Sequence, residues 1–222
     1  MRSLPVFALV IAHIVLAGLT LLYSWGYFAL LLTLWAEGFI IGFFNLGRIF
    51  LVCLGGEPFG KHVGVEGWAA RLLWAIVLSG FFMVKYGGLV LGFGIFSLIL
   101  PGIMAKEAGG DGLREIMDGL SSVTTGVLIA SLVFFLSHGT SFFINYIGRK
   151  EFKKDNVVSL LFWPYARMAA MICIVVIAIF VSVAWVGLLE SATFSFVLVF
   201  LKLGIDLFTH RVEHRRAFLQ QP

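Results

Sequence analysis

Apolar residues run through this chain in six long stretches, separated by short segments that carry most of its charge. At 1.5 Å per residue, about 20 predominantly apolar residues are enough for a helix to cross a hydrocarbon core. The pattern therefore predicts an all-α integral membrane protein, a single bundle of about six transmembrane helices near 4–22, 27–54, 72–104, 120–147, 157–186 and 191–210. Several stretches exceed the hydrocarbon thickness, which calls for tilt, kinks or extension into the interface. In the third, Gly80, Gly87, Gly88, Gly92 and Gly94 mark either a break or a place of close helix packing. Arg2 ahead of the first apolar run also suits a secretory signal. That run is longer than a usual signal core and no A-x-A site follows it, so it is read as an uncleaved span.

Composition agrees with the pattern. Of the 222 residues, 60% are apolar and 13% charged, against about 25% charged in a soluble domain. A soluble fold of this size still exposes roughly 30% of its unfolded-chain surface, too much for so apolar a sequence. Nucleic-acid binding, a disulfide scaffold and disorder are excluded. Cys53 and Cys173 lie in apolar runs without a CxxC pair and read as small buried residues.

The net charge of +4 has a topological source. Lys61 and Arg71 follow the second span, Arg149, Lys150, Lys153 and Lys154 the fourth, and Arg211, Arg215 and Arg216 the last. The loop after the third span offsets Lys106 and Arg114 with Glu107, Asp111, Glu115 and Asp118. The bias of Lys and Arg toward cytoplasmic loops puts both termini in the cytoplasm, with the chain in an inner (cytoplasmic) membrane. The acidic, glycine-rich stretch 109–118 reads as a solvated loop or interfacial helix.

Ionisable residues inside spans are expensive and are functional hypotheses by default. Glu37, Asn45 and Arg48 share one face of the second span. His138, Ser141 and Asn145 form a stripe on the fourth at i, i+3, i+7. Lys202, Asp206, His210 and His214 follow at four-residue steps on the sixth, and Tyr165 and Arg167 open the fifth. If the parallel second, fourth and sixth helices converge, these stripes form one polar site near the cytoplasmic side.

Two readings of that site stand side by side. His210 and His214 on adjacent turns, completed by His138, form a set suited to zinc or iron, with Glu37 or Asp206 as catalytic base for hydrolysis of a lipid or other apolar substrate. Haem held between His138 and His210 belongs to the non-enzymatic alternative. Alternatively Lys202 and Asp206 neutralise each other, Glu37 pairs with Lys85, and Asn45, Ser141 and Asn145 are interhelical hydrogen-bond glue. The protein would then be a non-enzymatic accessory subunit of a larger membrane complex, or a binder of lipid or pigment. Membrane lipids are partners on either reading. The Phe43-Phe44, Phe81-Phe82 and Phe142-Phe143 pairs read as filling lipid-facing or interhelical volume.

The ordered series Trp35-Ala36-Glu37-Gly38, Phe44-Asn45-Leu46-Gly47-Arg48, Tyr86-Gly87, Ser137-His138-Gly139, Pro164-Tyr165-Ala166-Arg167 and Lys202 with Asp206, His210 and His214 resembles a family of prokaryotic multi-pass membrane proteins. This is domain-of-unknown-function family 6498, and the likeness runs from about residue 27 to 216. The resemblance supports the same polar positions but implies no activity. It also implies histidines on the third span, where this chain has Lys85 and Phe93, and after the Pro-Tyr motif, where it has Ile172. The chain is in this respect a divergent member.

Overall fold

A computed structural model of the protein describes residues 3–56, 59, 67–107, 109–184 and 192–219. Six long helices account for nearly all of them: α1 Ser3–Leu22, α2 Tyr27–Gly55, α3 Trp68–Glu107, α4 Gly112–Ser141, α5 Val157–Ala184 and α6 Ala192–Leu219. No strand occurs among the described residues. Five segments, within α1 to α5, are long and apolar enough to cross a membrane. The sixth helix carries the charged residues that organise the others.

The breaks between helices follow local chemistry. Residues 23–26 turn the chain from α1 to α2, with Ser24 at φ 49° and the Trp25 N–H donating to Thr20 O at 2.9 Å. Asp111 caps α4, its carboxylate accepting from the Leu113 and Arg114 N–H groups. Of the two expectations for 109–118, a solvated loop or an interfacial helix, the structure shows helix: Asp111 caps it and residues 112–118 are the first two turns of α4. At its other end α4 widens into a π-turn, Phe142–Ile147, where the Gly148 N–H reaches back five residues to Phe143 O at 2.9 Å.

Packing is centred on α2, which lies against α3, α4 and α5, while α1 packs on α4 and α6, and α6 on α5. Each phenylalanine pair divides its labour: Phe44, Phe82 and Phe142 are buried, and Phe43, Phe81 and Phe143 face outward. Two tryptophans sit in glycine notches. A Cβ at Gly94 would lie 2.2 Å from Trp35 Nε1, and one at Gly126 would lie 2.2 Å from Trp25 Cζ2. Glycine at these positions lets α2 and the turn before it approach α3 and α4. Gly102 of α3 is also tight, a Cβ there lying 2.7 Å from Ile116 Cδ1. At Gly80, Gly87, Gly88 and Gly92 a Cβ would meet nothing within 4 Å, and the helix runs through them unbroken.

Pro164 lies inside α5 and has no N–H to give to Leu160 O. That carbonyl accepts instead from Asn45 Nδ2 of α2 at 2.9 Å. The polar side chain of Asn45 is explained by the defect it repairs, which places it with the interhelical glue.

Candidate functional site

Five of the six helices send an ionisable side chain to one buried centre. Lys202 Nζ of α6 lies 2.8 Å from Glu37 Oε2 of α2 and also bonds Asp206 Oδ2 one turn along its own helix. Asp206 Oδ1 accepts from Arg167 Nη2 of α5 at 3.0 Å. His13 Nε2 of α1 is 3.1 Å from Asp206 Oδ2 and 3.2 Å from Lys202 Nζ. His138 Nε2 of α4 stands 3.6 Å from Glu37 Oε1, close enough for ionic attraction but too far for a hydrogen bond. Glu37, Asp206 and Lys202 are all but fully buried.

Two carboxylates and two cations give the centre a formal charge of zero. Burying four charges carries a large desolvation cost, offset here because each carboxylate meets a cation at contact distance. α3 takes part indirectly: the Tyr86 hydroxyl donates to Gly38 O, at 3.1 Å, beside Glu37.

The tautomer of His13 follows from its neighbours. Its Nδ1 is 2.9 Å from Leu9 O, and a carbonyl only accepts, so Nδ1 carries the proton. Nε2 stands between the Asp206 carboxylate and the Lys202 ammonium. The Phe134 ring packs edge-on to His13 with centroids 5.3 Å apart, and Lys202 Nζ stands 4.7 Å from the Phe134 centroid. Phe134 thereby adds a cation–π contact to the ion pairs.

On one side of this centre lies a narrow apolar cleft, open to the outside. Leu16 of α1, Tyr27 and Leu34 of α2, Met171 of α5 and Val199 of α6 line it, and Lys202 is the lysine among its wall residues. The cleft opens between α1, α2, α5 and α6, and the charged cluster closes it.

The polar stripes of the sequence divide between this centre and other places. Glu37, His138, Arg167, Lys202 and Asp206 come together. Asn45 serves Pro164, as described above. Arg48 stacks over the Tyr146 ring at 5.1 Å, and Tyr146 Oη donates to Arg48 O at 3.4 Å, a level apart from the centre. Asn145 is buried and Ser141 half-buried on the widened end of α4, outside the cluster. Half-buried Tyr165 meets Tyr86 edge-on at 5.5 Å.

Lys85 requires a correction. It is exposed on the outer face of α3, so the expected Glu37–Lys85 pair does not form and Lys202 is the cation that Glu37 meets. The expected Lys202–Asp206 pair does form. The side chains of His210 and His214 lie outside the described residues, so the proposed metal set is not displayed. Among the described residues no group of three or more His, Cys, Asp or Glu side chains is arranged to hold a metal ion.

His13 is the member that sequence reasoning missed. It is an ionisable residue near the middle of the span Leu4–Leu22, the same signal that singled out Glu37. In the sequence it is masked by the likeness of the Arg2-led apolar run to a secretory signal. Residues 1–221 match the model of a family described as a family of unknown function, DUF6498. No curated protein and no solved structure matches the chain.

Proposed function

We propose that this chain, which belongs to the DUF6498 family of unknown function, is a membrane protein that binds a small apolar or amphiphilic molecule in the cleft closed by Lys202. The supporting observation is the cleft itself. Its walls are mostly apolar, with Tyr27, Thr33 and Lys202 the polar side chains along them, the pattern of a small-molecule site. A purely structural ion cluster gains nothing from bordering such a space. The basic loops orient both termini to the cytoplasm of a prokaryotic inner membrane, and the bilayer is the source from which an apolar ligand reaches the cleft.

The test is organic extraction and mass spectrometry of the full chain purified in native lipid discs, beside a Leu198→Phe variant that narrows the cleft. One small molecule enriched over bulk lipid, and depleted in the variant, is the expected result. Equal lipid profiles in both would overturn the assignment. A stoichiometric transition metal, lost in His138→Ala and accompanied by no organic ligand, would transfer it to the metal-dependent enzyme reading.

A further inference from the structure

The exposed side of α3 carries a charge that the rest of the bundle does not compensate. Lys85 lies near the middle of the apolar segment Trp68–Leu100, and among the described residues no acidic side chain pairs with it. Its neighbour Tyr86 bonds Gly38 O, which puts it at the level of the buried Glu37. A lysine near the end of a span reaches the headgroups along its own stem, but one at the centre is too deep for that. Charges at such a depth are rare, and they normally face a bundle interior where a partner is at hand.

The residues in line with Lys85 form a seam. Phe81, Lys85, Gly88, Gly92, Ile95 and Ile99 follow at alternating four- and three-residue steps, all on the exposed side of the helix. This is the seven-residue repeat by which one helix packs along another. The seam is hollow at its centre, since a Cβ at Gly88 or Gly92 would meet nothing within 4 Å. The two glycines are four residues apart, a spacing that lets a second helix approach closely. Within this chain they pack against nothing, and each weakens the helix relative to alanine. Gly94, whose notch holds Trp35, lies on the other side of α3.

We propose that this seam docks a single transmembrane helix of another protein, one that carries an aspartate or glutamate at mid-depth. Charge decides between the occupants. A second copy related by a two-fold axis would set the same residues of both helices face to face, Lys85 against Lys85, and like charges repel. Lipid tails offer an ammonium nothing, and anionic headgroups lie about 15 Å away at the interface. An acidic residue on a partner helix meets Lys85 within the hydrocarbon, where one contact offsets the desolvation of both charges. Apolar side chains on either side of that acid fill the hollow at Gly88 and Gly92. No residue of α3 lines the cleft, so the docking surface is independent of what the cleft binds.

The experiment uses the full chain in lipid vesicles with a synthetic transmembrane peptide of about 20 leucines and alanines. The peptide carries one aspartate at its centre and a dansyl group at one end, and a control peptide has leucine in place of the aspartate. Association is read as energy transfer from the chain's tryptophans to the dansyl group. The aspartate peptide is expected to bind about tenfold more tightly than the control. Lys85→Leu removes that difference, and Gly88→Leu, which fills the hollow, weakens binding. Lys85→Asp turns the preference toward a peptide with lysine at its centre, a reversal that misfolding does not produce. Equal binding of the aspartate and leucine peptides would overturn the proposal and leave the face to lipid. So would an aspartate preference that survives Lys85→Leu, because the peptide would then be meeting another cation. Cross-linking of two Gly88→Cys chains to each other through that position, without peptide, would overturn it in favour of a second copy.

Discussion

Lys202 and Lys85 are the same residue in the same kind of helix, and their surroundings are opposite. Lys202 meets Glu37 at 2.8 Å, Asp206 and His13, and is nearly fully buried. Lys85 is exposed, and among the described residues no acidic side chain pairs with it. They are at similar levels of the bundle, since Tyr86, beside Lys85, bonds Gly38, beside Glu37. Depth therefore does not separate them. The side of the helix does: one lysine faces converging helices that bring carboxylates, the other lies on the exposed side of α3. An intramembrane charge read from sequence becomes a site only when the fold supplies its partners.

The sharpest way to break this contrast is Lys202→Met. It leaves Glu37 and part of Asp206 without a cation, and removing one partner of a buried pair costs about 3–5 kcal/mol. Thermal unfolding in detergent should show a large fall in midpoint. In Lys202→Met with Glu37→Gln much of it should return, because the second change removes the orphaned charge. A double variant as unstable as the single would show that the ion pair is not the source of the loss.

The glycines of α3 reproduce the contrast one step smaller. Gly94→Ala drives a methyl to 2.2 Å from Trp35 Nε1, and such overpacking costs about 1–3 kcal/mol. Gly88→Ala meets nothing within 4 Å and should leave the midpoint unchanged or raise it, since alanine is the better helix former. Equal losses in the two variants would mean that the outer face of α3 is packed as tightly as the inner one.

Hydropathy located the helices because lipid imposes a length on each, and it erred where ends are set by a side chain, as at Asp111. It also found Glu37, His138, Arg167, Lys202 and Asp206, since periodicity places residues on a face. Periodicity does not reveal which way a face turns, so Lys85 and Glu37, matched in depth, were paired wrongly. Asn45 was legible as glue, but its acceptor was not, because the vacancy at Leu160 O is created by Pro164 on another helix. His13 was legible in kind and overlooked in place.

The repair of that vacancy yields a smaller effect with a distinctive signature. Asn45→Ala leaves Leu160 O unpaired, and interhelical hydrogen bonds in membranes are worth about 0.6–1.7 kcal/mol. Pro164→Ala supplies a backbone N–H to the same carbonyl, so in that background Asn45→Ala should cost much less. The measurement is a double-mutant cycle of unfolding midpoints. Strict additivity of the two changes would sink the account of Asn45 as a repair.

The smallest expected effect belongs to Lys85→Leu. A charge in lipid is costly, yet that cost stabilises the fold only if folding changes the charge's surroundings. Lys85 faces outward and, among the described residues, meets no acidic side chain in the assembled bundle, and an isolated α3 in the bilayer exposes it in the same way. The cost is common to both states and cancels. Lys85→Leu should therefore raise the yield of membrane-inserted protein while leaving the unfolding midpoint of the purified chain within about 0.5 kcal/mol of the parent. A marked loss of midpoint would mean that Lys85 has a partner in the folded state, and the division between an organised lysine and a lipid-facing one would fail on the residue that defines its second half.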